Sequence, residues 1–157
     1  MKDGTIKTMW QSGAVNRWHT NPDPRLRNSG DTTAAHQWRV ATLVMLLSPD
    51  ADAATLRAAL WHDAPECFTG DVPYEAKKEW WVSTARAEEA WWDDIGLEEP
   101  DVPGIVKLAD TLDHLLFCKS VAPDLLARPD WRAHAEHVIG WADTLGVHDA
   151  VLELIYG

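Results

Sequence analysis

The dipeptide His62-Asp63 closes an apolar helical run that includes Leu56, Ala59 and Leu60, a place where polar side chains are costly to bury without partners. Taken alone, a His-Asp pair also fits an ordinary exposed helix end. Two further groups change that balance. His36 falls on the apolar stripe Val40, Leu43 and Leu47 of another helix, and Asp110 sits among Ile105, Val106, Leu108, Leu112, Leu115 and Leu116. An acid inside such a run needs a cation or hydrogen-bond donors beside it. Two imidazoles and two carboxylates from three helices, His36, His62, Asp63 and Asp110, suit one divalent ion in five- or six-coordinate geometry. Mn, Co, Zn, Fe and Mg all accept such donors. Four protein ligands leave positions for water and a phosphate oxygen.

These side chains require helices to position them, and the pattern predicts helix after helix with no convincing strand. A short N-terminal helix over about Thr5 to Val15 is followed by a turn-rich loop holding Pro22, Pro24, Asn28, Ser29 and Gly30. Asp31 or Thr32 then caps a helix running to Leu47, which Ser48-Pro49 ends. A third helix spans about Asp52 to Asp63, and Pro65 interrupts it before a turn reaching Gly70. Pro73 opens a long fourth helix to about Asp94, and Pro103 opens a fifth to about Val121. Two more cover roughly Asp130 to Leu145 and Val147 to Ile155. The expectation is an all-α, single compact helical bundle of about six to seven helices, with residues 1-157 forming one domain.

Composition narrows the partners. With 14 basic and 25 acidic side chains the formal charge is −11, so a nucleic acid polymer meets net repulsion rather than the basic face it needs. A small phosphorylated ligand remains compatible, because a few local cations reverse the field inside one cleft. The first ten residues contain charges and no apolar run, and the longest apolar stretch, Val40 to Leu47, is too short for a membrane span. The chain is therefore expected to be soluble and cytoplasmic, without a membrane partner. Cys67 and Cys118, lacking paired spacing, are expected as buried thiols. The doublets Trp80-Trp81 and Trp91-Trp92 are eleven residues apart, about three helical turns, and read as a core or subunit-contact stripe, hence an expected homo-oligomer.

The H…HD…D order of these side chains resembles the HD-domain superfamily. Asn16-Arg17-Trp18, His62-Asp63-Ala64-Pro65-Glu66, Thr69-Gly70-Asp71-Val72-Pro73, Lys77 and Ile105-Val106-Lys107-Leu108-Ala109-Asp110 are similar, in order, to the blocks of bacterial HD 5′-deoxynucleotidases. The short chain and its ten tryptophans also resemble compact phage HD enzymes that hydrolyse dATP to deoxyadenosine and triphosphate. The resemblance implies a metal held by His36, His62, Asp63 and Asp110, Glu66 as general acid/base, and Arg17 and Lys77 on phosphate. It further implies Asp71 on the sugar 3′-hydroxyl and Trp18 against the sugar face where a 2′-hydroxyl would collide.

Read from the residues alone, these roles have plainer alternatives. Glu66 lies one turn beyond His62-Asp63 and reaches the same side, although Pro65 disturbs the helix between them. Arg17 is otherwise a surface cation beside a core anchor, Lys77 a solvated lysine, and Asp71 a turn former or cap. His114, one turn after Asp110, reads as a supporting or packing group, and His19, His134, His137 and His148 as surface or core residues. The function expected is hydrolysis of a deoxynucleotide at the α-phosphorus, with monophosphates first and triphosphates as the close alternative. A non-catalytic nucleotide-sensing domain and a phosphodiesterase for cyclic or dinucleotide signals are the competing classes.

Overall fold

The computed structural model describes residue 2 and residues 4–72 and 74–157, save the side chains of residues 74–83. Pro73, and the side chains of Lys77, Trp80 and Trp81, thus lie outside the described residues. The chain folds as helices joined by short turns: α1 (Thr5–Gln11), α2 (Pro24–Arg27), α3 (Thr33–Leu47), α4 (Ala53–Trp61), α5 (Glu66–Thr69), α6 (Tyr74–Ile95), α7 (Gly104–Val121), α8 (Pro129–Thr144) and α9 (His148–Tyr156). The seven longer helices are those the apolar periodicity marks out. The one-turn α2 and α5 are additions: Asp23 caps α2 ahead of Pro24, and α5 restarts the chain directly after Pro65. α1 also stops earlier than expected, and a 3-10 turn, Ser12–Ala14, takes over.

Local chemistry sets the ends. Thr32 caps α3, its side chain accepting from Ala35 N–H, and Asp52 caps α4 by accepting from Thr55 N–H at 2.8 Å. Asp31, the other expected cap, has a different task described below. Pro129 occupies the first turn of α8, where its missing N–H costs nothing.

α3 and α7 pack against each other at the centre. α4 lies across both, α8 covers α7, and α9 packs on α7 and α8. The main core joins Val40 and Val44 of α3, Ala58 and Ala59 of α4, Val106, Leu108 and Leu112 of α7, Val138 of α8 and Val151 of α9, all fully buried. Each large apolar side chain so buried contributes about 1.5–3 kcal/mol. A separate cluster of Ala64, Trp91, Trp92 and Ile95 sits behind the turn after His62-Asp63, with Trp91 and Trp92 edge-on at 4.9 Å. That half of the tryptophan stripe is core within one chain.

The segment leading to α3 is held by strand-like contacts. Asn16 bridges Thr32, Arg17 N–H donates to Asp31 O at 2.9 Å and Thr33 N–H to Val15 O at 2.9 Å. Gly13 makes this approach possible, because a Cβ there would stand 2.6 Å from Ala34 Cβ on α3. Of the two cysteines, Cys118 is buried as expected but Cys67 is exposed, on the outer face of the one-turn α5. Among the described residues no helix is long and apolar enough to cross a membrane.

Candidate metal centre and its cleft

His36 projects from α3, His62 and Asp63 from the turn ending α4, and Asp110 from α7. Because these are the helices that meet at the centre of the bundle, their polar side chains converge. His36, His62 and Asp110 offer ligand atoms all within 4.8 Å of one another. Asp63 Oδ2 joins them at 3.3 Å from His36 Nε2 and 3.4 Å from His62 Nε2, and Asp110 Oδ1 lies 3.1 Å from His36 Nε2.

Hydrogen bonds behind the rings fix which nitrogen faces the cluster. His36 Nδ1–H donates to Asp113 Oδ2 at 2.7 Å and His62 Nδ1–H to the Ala59 carbonyl at 3.0 Å. Each Nε2 is then a lone pair aimed at carboxylates that can only accept, and both nitrogens are buried without a hydrogen-bond donor. A cation resolves this arrangement, so the residues present fit a divalent metal ion.

Without a metal, a proton takes that place. Burial alone depresses the His36 pKa, but hydrogen bonds to Asp110, Asp113 and Asp63 outweigh it and raise the value to about 10. Burial likewise opposes ionisation of Asp63 and Asp110. For Asp63 the charge of His62 and the hydrogen bond from His36 prevail and hold it well below the usual carboxylate range, and for Asp110 the bond from His36 lowers it.

Behind the cluster stands a layer of charge that the sequence reading did not find. Asp113, one turn after Asp110 on α7, accepts from His36 and, through Oδ1, from Arg39 Nε at 2.7 Å. Arg39 also forks onto Asp31 at 2.9 and 3.0 Å. Asp31 therefore anchors arginine instead of capping α3. Asp113 is held down to about 2 by the His36 and Arg39 bonds, against the cost of burial.

Arg17 and Trp18 sit beside this layer. Arg17 is 4% exposed, and its NH2 donates to His114 Nε2 at 2.8 Å, while His114 Nδ1–H donates to the Asp110 carbonyl at 3.1 Å. Desolvation and the Arg17 charge lower the His114 pKa to about 4, so the ring is neutral and able to accept. Arg17 Nε and NH1 are buried with no hydrogen-bond partner; NH1 stands 3.6 Å from Asp31 and 3.7 Å from Asp113. Guanidinium donors left in this state favour an anionic oxygen.

Trp18 is the single non-glycine residue with positive φ, 64°, among the described residues. A bulky residue in that region is strained, and such strain concentrates at functional sites. Its N–H donates to Asp71 Oδ2 at 2.9 Å, its indole N–H to Asp31 Oδ2 at 3.2 Å, and its ring stacks on Phe117 at 5.8 Å and on Trp131 at 6.3 Å. The loop carrying Arg17 and Trp18, the turn carrying Glu66 and Asp71, and α7 enclose a cleft of about 430 Å³ that opens onto Asp63 and Asp110. Glu66, 4% exposed, reaches this cleft from α5. Of the candidate site residues, only Lys77 lies outside the described side chains.

Residues 15–95 match a protein-family model described as an HD domain. A protein named dATP triphosphohydrolase, from Salmonella phage PMBT28, is 34% identical over 130 residues. The match covers 72% of this chain, and the chain spans 65% of the length of that relative. No solved structure matches the chain. The family span takes in three of the four converging side chains, His36, His62 and Asp63, and just over half of the sequence, and this chain belongs to the HD-domain family.

Proposed function

We propose that this chain is a metal-dependent phosphohydrolase of 2′-deoxynucleotides. The observation that carries the reading is the juxtaposition of two unpartnered histidine Nε2 atoms and two carboxylates with a buried arginine whose Nε and NH1 have no hydrogen bond. His36, His62, Asp63 and Asp110 would hold one divalent ion, Mn, Co, Zn, Fe or Mg. Bound there, it supplies Lewis acidity, making a water more acidic and offsetting charge on a phosphoryl oxygen.

The protein side chains do the rest. Arg17 donates Nε–H and NH1–H to the α-phosphate, orienting the phosphorus for attack by water. Glu66 takes a proton from the attacking water; the bond from phosphorus to the 5′-oxygen breaks, and the proton returns to that oxygen as the deoxynucleoside departs. Asp71, one oxygen already bonded to Trp18 N–H, meets the 3′-hydroxyl with the other. Trp18 covers the 2′ position. Lys77 is assigned to phosphate by its place in the motif alone.

The same machinery serves a monophosphate, releasing phosphate, or a triphosphate, releasing triphosphate. The motif order favours the monophosphate. The name of the phage relative weighs at least as strongly for the triphosphate, which makes dNTPs the first substrates to assay. The test is a panel of dNMPs, dNTPs and ribonucleotides with Mn or Co, with products separated by chromatography. Deoxynucleoside released with either phosphate or triphosphate is the expected outcome; no hydrolysis of any deoxynucleotide overturns the reading.

A further inference from the structure

A second cavity, of about 670 Å³, borders Asp110, and Glu66 is not among its described lining residues. It shares Trp18, Asp110 and His114 with the cleft, and its far wall is α8, in the C-terminal stretch to which neither motif nor spacing gave a role. Its size falls within the range of small-molecule sites.

The wall is aromatic. The Trp131 indole stacks on Trp18 with centroids 6.3 Å apart and planes at 28°, and His134 meets Trp131 edge-on at 5.9 Å. Leu125 contributes apolar surface. Burial lowers the His134 pKa against a hydrogen bond to the Thr111 backbone, so its ring is neutral and retains an acceptor nitrogen. Asn21 lies at the mouth shared with the cleft; its Oδ1 accepts from Asp23 N–H, leaving the amide NH2 as donor.

Charge decides what this space accepts. Among the described residues Asp23, Asp110 and Asp130 line it, Asp23 paired with Arg25, Asp130 with the lining arginine Arg128 at 2.9 and 3.2 Å, and Asp110 turned to the metal-ligand cluster. A polyphosphate tail entering here finds, among the described residues, no unengaged arginine to bind it. A neutral, flat heterocycle instead gains aromatic surface together with uncharged hydrogen-bonding groups.

We propose that this cavity is the nucleobase subsite, with Trp131 and His134 as its walls; the proposal rests on the deoxynucleotide reading above. The base then lies towards α8, and any phosphates beyond the α-phosphate extend the other way, past Arg17 and Glu66.

Inhibition by the products separates the two limbs. With Mn present, inhibition constants are measured for the four common deoxynucleosides and for inorganic tripolyphosphate on wild type, Trp131→Ala and His134→Ala. Trp131 packs against core residues, so circular dichroism melts accompany each variant and His134→Ala gives an independent reading should Trp131→Ala not fold. Deoxynucleoside inhibition constants rising about tenfold or more, the scale of one lost base–aromatic stack, with tripolyphosphate inhibition within twofold of wild type, is the result expected. Unchanged deoxynucleoside inhibition in a folded variant, or a selective loss of tripolyphosphate inhibition, overturns the subsite while leaving the activity standing. Failure of the functional reading is seen separately, in wild type alone, as absence of hydrolysis, and the subsite falls with it.

Discussion

Asp113 Oδ2 lies 2.7 Å from His36 Nδ1, and the same carboxylate bonds Arg39. This one side chain, 2% exposed, sets the His36 tautomer and ties α3 to α7 beneath the candidate metal centre. Groups placed this way raise ligand basicity and hold the ring in its binding orientation. Asp113→Asn keeps an acceptor but removes the charge, and metal affinity is expected to fall about 10- to 100-fold. Asp113→Ala leaves Arg39 and His36 without their buried partner and is expected to cost about 3–5 kcal/mol in urea denaturation. A calorimetric Mn titration of Asp113→Asn indistinguishable from wild type would show that the ring is oriented without it.

Glu66 is expected to act on the proton and not on the metal. Glu66→Gln keeps shape and hydrogen bonding, so metal content stays at the wild-type level while turnover falls by about 10²- to 10⁴-fold. Near wild-type turnover in this variant, measured by release of deoxynucleoside, would mean that another group takes the proton.

Arg17 and Trp18 are neighbours with separable tasks. Phosphate contacts do not read the 2′ position, so Arg17→Ala is expected to depress activity on deoxy- and ribonucleotides alike. Trp18 has no group to satisfy a 2′-hydroxyl on its ring face, and an unpaired buried hydroxyl costs about 1–3 kcal/mol, roughly tenfold to a hundredfold in kcat/KM. Trp18→Ala should narrow that preference and weaken the deoxy substrate as well. Equal kcat/KM of wild type on matched ribo- and deoxynucleotides would remove the assignment.

Metal-free protein has a defined pH dependence. The His36 pKa is raised to about 10 in the fold from an ordinary 6.5, so its contribution is complete below pH 6.5 and is lost as pH rises towards 10. The His114 value is lowered to about 4, so the unfolded chain takes up that proton first and stability is lost as pH falls from 6.5 towards 4. Asp113, held down to about 2 from 3.8, adds a further loss at still lower pH. Thermal melts of the metal-free protein should therefore peak near pH 6.5, with the alkaline decline flattened by a divalent metal that replaces the His36 proton. A metal-free melting temperature that keeps rising above that pH contradicts this.

Much of the site is readable from sequence because polar residues in apolar runs are conspicuous. His36 interrupts the buried face of α3 and Asp110 that of α7, and the periodicity of those helices already places the two side chains inward. Asp113 gives no such signal: three residues after Asp110 on a helix carrying other charges, it looks like a solvated acid until Arg39 and His36 are seen to meet it. Asp31 precedes a good cap, Thr32, and a preference for aspartate at helix starts hides its pairing with Arg39. Trp131 and His134 are brought beside the site by the packing of α8 on α7 and of Trp131 on Trp18, contacts that no local pattern encodes. The left-handed backbone of Trp18 is equally silent in sequence, since it is imposed by Asp71, Asp31 and Phe117 from distant parts of the chain.

His36, His62, Asp63 and Asp110 together are expected to hold the divalent ion on which hydrolysis depends. Elemental analysis of purified wild type, Asp63→Ala and Asp110→Ala, loaded with Mn and freed of excess, tests it most directly. About one ion per chain is expected in wild type and near none in either variant, with hydrolysis lost in parallel. Full metal content in Asp63→Ala or Asp110→Ala would contradict it.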